Sequence, residues 1–79
     1  MAKHNPQNRS QFDENMKGLE DFDEQTLLDR LNKTIVTVEL DNSYNTDQKL
    51  KIYSLISTLS NSEGKQRKKI ARKISRALK

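Results

Sequence analysis

The amino-acid sequence predicts an all-α fold: a small three-helix domain preceded by a disordered or partner-folded N-terminal arm. Three segments repeat apolar residues at helical spacing, no pair of segments qualifies as partner strands, and the opening stretch has few side chains to bury. Among 79 residues there are 9 Leu, 5 Ile, 2 Val and 2 Phe, about 23% and just above the roughly 20% below which a charged chain stays disordered. One small domain is the most such a chain can build. It has no cysteine and one histidine, so neither disulfides nor a Cys/His zinc site can reinforce a thin core. We assign 1–21 to the flexible arm and 22–79 to the helical domain.

Within the arm, Phe12, Met16 and Leu19 recur at spacings of four and three, with Ser10 and Asp13 as weak caps. Gly18 opposes a helix by about 1 kcal/mol relative to Ala, so a helix here is expected to form only against something. The first helix of the domain is expected from Asp23, an N-cap with Phe22 and Leu27 placed as a hydrophobic staple, to about residue 39. Its core stripe is Leu27, Leu28, Leu31, Ile35 and Val38. The β-branched run from Thr34 to Val38 suits a strand, but a strand would need a partner from a second copy, as in an intermolecular ribbon.

Residues 41–45 form the clearest loop, after which Asn45 or Thr46 caps a second helix with Asp47 near its positive end. Ile52, Leu55, Ile56 and Leu59 make its apolar face, flanked by Leu50 and Tyr53, while Lys51, Ser54, Ser57 and Thr58 face outward. A polar break at 60–64 then leads to a third helix ending near Leu78. There, Ile70, Ala71, Ile74, Ala77 and Leu78 share one arc, and Lys65, Lys68, Lys69, Arg72, Lys73, Arg76 and Lys79 share the opposite one. Arg67 falls on the apolar side, its stem over the core edge and its head reaching water.

Charge is strongly segregated. Residues 1–19 carry three cations and two anions, 20–47 two and eight, and 48–79 ten and one, for sums of +1, −6 and +9 within a net +4. The basic tail needs a counter-charge, either the acidic middle of the chain or an external polyanion. Cations at every turn of one helical face match the regular charge of a nucleic-acid backbone, and each neutralised phosphate releases counterions. The face lacks Asn, Gln and aromatic side chains, so we expect phosphate contact with weak sequence preference, to RNA or DNA. The expected sites are Lys65, Lys68, Lys69, Arg72, Lys73, Arg76 and Lys79, in a small regulatory or ribonucleoprotein accessory factor.

The alternative is a protein-binding adaptor or inhibitor whose arm docks Phe12, Met16, Leu19 and Phe22 on a partner. A homodimer is a further expectation, because three short helices bury little surface. The acidic segment 20–47 either offsets the basic helix in the fold or competes with nucleic acid; competition predicts tighter binding when Asp29 and Glu39 are neutralised.

A helix-turn-helix centred on Gly64 matches in part, with Glu63 and Lys73 where that motif is usually apolar. No membrane span is expected, since the longest apolar run has two residues, and the start lacks a secretory apolar centre, so a cytoplasmic location is the default. No catalysis, metal or cofactor is expected: His4 lies in the arm, Asp21, Asp23 and Glu24 read as caps at a helix start, and no phosphate-cradling glycine loop is present.

Overall fold

The computed structural model describes residues 6–79 and is helical throughout its regular elements. Among the described residues there are four α-helices, one more than the sequence predicts: α1 Pro6–Asn15, α2 Glu24–Leu40, α3 Thr46–Ser60 and α4 Gln66–Ala77, with a 3-10 turn at Leu19–Asp21. The additional helix, α1, lies in the segment read as an arm. Proline opens it, where a missing N–H costs nothing, so Ser10 sits inside the helix and caps nothing. Gly18 lies beyond its end at φ 77°, the left-handed region that glycine enters freely, and turns the chain into the 3-10 turn.

What α1 folds against is the rest of its own chain. It packs on α2 and α4, and Phe12, Met16 and Leu19 are three of the thirteen buried apolar residues among those described, with Phe22 partly buried beside them. Nine of the other ten come from the expected stripes: Leu27, Leu31 and Val38 on α2, Ile52, Ile56 and Leu59 on α3, and Ala71, Ile74 and Leu78 at α4; the tenth is Tyr44 of the 41–45 loop. Leu28 is the exception, 41% exposed, with Thr34 taking a buried place on that helix.

The β-branched run is helical to Leu40, not an intermolecular strand. Thr34 and Thr37 bond back to the carbonyls of Arg30 and Lys33, so their hydroxyls are satisfied within the helix. Asp23 caps α2, its carboxylate accepting the Thr26 N–H at 2.7 Å. Asn45 caps α3 in a reciprocal box with Gln48, at 2.8 Å in each direction.

The 41–45 connection is a loop, yet its Tyr44 is buried at 3% exposure. The phenol donates to the Leu78 carbonyl at 2.7 Å and accepts from Asn8, whose amide also donates to Asp41. The start of α1, this loop and the end of α4 are thereby tied together. Helices α3 and α4 pack most extensively, joined across Gly64 at φ 59°. Glu63 and Lys73, the two departures from the helix-turn-helix pattern, are both exposed.

Candidate nucleic-acid interface

Helix α4 owes its orientation to its apolar side. Ile74 and Leu78 are fully buried, Ala71 and Ser75 nearly so, and Ile70 and Ala77 pack partly against the core, which turns the opposite arc to solvent. All seven predicted cations, Lys65, Lys68, Lys69, Arg72, Lys73, Arg76 and Lys79, are exposed. Five lie on α4 itself; Lys65 is its N-cap and Lys79 follows its C-cap.

Among the described residues, one of these cations meets a carboxylate within 4 Å: Lys68 Nζ stands 3.6 Å from Glu20 Oε1, with side chains 63% and 42% exposed. A pair so well solvated contributes little. The other described ion pair, Lys17 with Glu14, is on α1 and its exit. Asp29 and Glu39, singled out as competitors for the stripe, are engaged elsewhere: Asp29 accepts from Gln25, and Glu39 accepts the Tyr53 phenol. Burial first, then the Glu39 hydrogen bond and charge, push the Tyr53 phenol up to about 12.

The start of α4 differs from those of its neighbours. Helices α2 and α3 have side-chain N-caps and an acidic residue in the first turn, Glu24 and Asp47. At α4 there is neither, and Lys65, Arg67, Lys68 and Lys69 surround the positive end of the helix dipole instead. That placement costs local stability and raises the positive potential.

Arg67 does more than cover the core edge. Its guanidinium donates from one terminal nitrogen to the carbonyls of Phe22 and Leu19, at 2.9 and 3.2 Å, and from Nε to that of Ser62 at 3.3 Å. It therefore bolts the 3-10 turn to the α3–α4 connection. Its projection onto the apolar side was the only sequence signal of this role.

A groove of about 710 Å³ runs between α1 and α4. Lys68, Arg72 and Arg76 form its α4 margin, Arg9 and Asp13 its α1 margin, and Phe12 and Met16 also line it. Arg9 reaches across, its Nε donating to Ser75 Oγ at 2.9 Å. Sequence spacing did not single out Arg9 or Ser75, which lie 66 residues apart.

The four residues expected to dock on a partner are placed in or against the chain's own core. The exposed large apolar residues are Leu28, Val36 and Leu40 on α2 and Leu50 on α3. Among the described residues no helix is long and apolar enough to cross a membrane, and no group of three or more His, Cys, Asp or Glu side chains could hold a metal. His4 lies outside the described residues. The chain matches no protein-family model, no curated protein and no solved structure.

Proposed function

We propose that this protein binds nucleic acid through the phosphate backbone, using the exposed stripe Lys65, Lys68, Lys69, Arg72, Lys73, Arg76 and Lys79. The observation that carries the reading is a helix whose opposite side is locked in the core while seven cations stay in solvent, with one weak internal carboxylate contact among them. A uniformly cationic ridge repels itself, and a polyanion relieves that repulsion while releasing its own counterions. The bare, basic start of α4 supports the same reading. A helix shaped for stability alone would carry an N-cap and an acidic first turn, as α2 and α3 do.

Base identity has little to act on along this ridge, since it offers no amide or aromatic side chain; Arg72 and Arg76 serve phosphate. Protein docking through Phe12, Met16, Leu19 and Phe22 gains no support from the packing, because these side chains are already used in or against the core. The decisive variant is Arg72→Glu with Arg76→Glu. Both side chains are exposed, so helix content by circular dichroism is expected to stay unchanged while binding to generic RNA and duplex DNA is lost. Retained binding would overturn the proposal.

A further inference from the structure

We propose that the groove between α1 and α4 seats a phosphodiester of a single nucleic-acid strand among Arg9, Arg72 and Arg76, so that the protein favours single strands over duplexes. This rests on the reading of α4 as the nucleic-acid-binding element and adds to it a second helix and a strand preference. Arg9 of α1 bonds Ser75 of α4 across the groove, and Glu20 of the 3-10 turn stands 3.6 Å from Lys68 of α4. Glu20 and Asp21 line the end at the 3-10 turn and offset Lys68, whereas Arg72 and Arg76 line the same groove as Arg9 and the Ser75 hydroxyl that Arg9 bonds.

Arg9 spends its Nε on Ser75, which leaves its terminal nitrogens as donors. Among the described residues none of the three arginines has a carboxylate within 4 Å. Asp13, also on the groove, is the nearest acidic position on the α1 margin in sequence, one turn beyond Arg9. Three guanidinium forks lining one groove can offer a phosphate's oxygens paired donors that ammonium point charges cannot. Phe12, Met16, Leu19 and Ala71 in the lining lower water's competition for those donors.

Geometry separates the polymers. A groove of about 710 Å³ is the size of a small-molecule site, which takes a short stretch of one strand and not a duplex. A single strand can enter the groove and reach Arg9, while a duplex meets only the exposed α4 stripe, Arg72 and Arg76 included. Lys69 and Lys73 belong to that stripe and do not line the groove.

The test compares a single-stranded oligo-uridine or oligo-thymidine of about 12 nucleotides with a duplex of equal length, by fluorescence anisotropy. Arg9→Gln is expected to weaken single-strand binding roughly fivefold to tenfold and duplex binding less than twofold. Because Arg9→Gln also removes a structural hydrogen bond, Asp13→Asn provides the counter-check: deleting that charge is expected to tighten single-strand binding about threefold, a gain that unfolding cannot produce. Equal effects of Arg9→Gln on both polymers in a folded variant, or no gain with Asp13→Asn, would overturn the groove and leave the α4 stripe standing. Wild-type protein that binds neither polymer would overturn both.

Discussion

Removing the Arg67 guanidinium leaves the carbonyls of Leu19, Phe22 and Ser62 without their shared donor. Arg67→Ala is therefore expected to cost about 2 kcal/mol in urea denaturation, the range for hydrogen bonds to a charged group. Lys69→Ala, on the exposed arc of the same helix, is expected to stay within roughly 0.5 kcal/mol. The residue scale also sets the alkaline limit of the fold. The Tyr53 phenol is raised to about 12 and that of Tyr44 is raised as well, chiefly by burial. A raised phenol means that the folded state holds the proton more tightly, so the contribution is complete below the unfolded value near 10 and fades as pH climbs through the folded value. Denaturation midpoints are expected to be flat across neutral pH and to fall above about pH 10, with Tyr53→Phe shrinking that fall. Neither role was legible beforehand. Tyr44 sits in a polar stretch that reads correctly as a loop, and nothing in its spacing says that its hydroxyl reaches the Leu78 carbonyl.

At the scale of the element, helices α2 and α3 were legible because each announces itself twice, by a cap and by a stripe. Asp23 and Asn45 stand where the helices begin, and the apolar positions repeat at helical period. Asn45→Ala is expected to cost about 1 kcal/mol, since it removes the side-chain acceptor of the Gln48 N–H from the capping box. Helix α1 was half legible. The spacing of Phe12, Met16 and Leu19 is helical, and the helix needs something to fold against; that this something is α2 and α4 of the same chain is a tertiary fact that local periodicity does not encode. Phe12 is 2% exposed, so Phe12→Ala is expected to cost about 3–5 kcal/mol, a large share of what so small a domain can hold in reserve. Deleting 1–21 removes three core residues at once. Such a truncation is expected to unfold the body instead of isolating the basic helix, and point variants on the α4 surface are the cleaner probes.

For the whole molecule, charge and packing divide the chain in the same way. The apolar stripes of all four helices converge on one core, and the cations of α4 are what is left facing outward. Between the acidic middle and these cations there is one exposed ion pair among the described residues, Lys68 with Glu20. The basic face was legible from sequence because a helix with a buried side cannot hide its other side. The groove was not legible, since it exists only once α1 packs on α4 and carries Arg9 to Ser75. The most direct test is the salt dependence of binding to generic RNA and duplex DNA. With about five phosphates engaged, log K on duplex is expected to fall against log salt with a slope of about −4 to −5. A slope near zero, or no measurable binding at low salt, would contradict the proposed phosphate-binding role of α4.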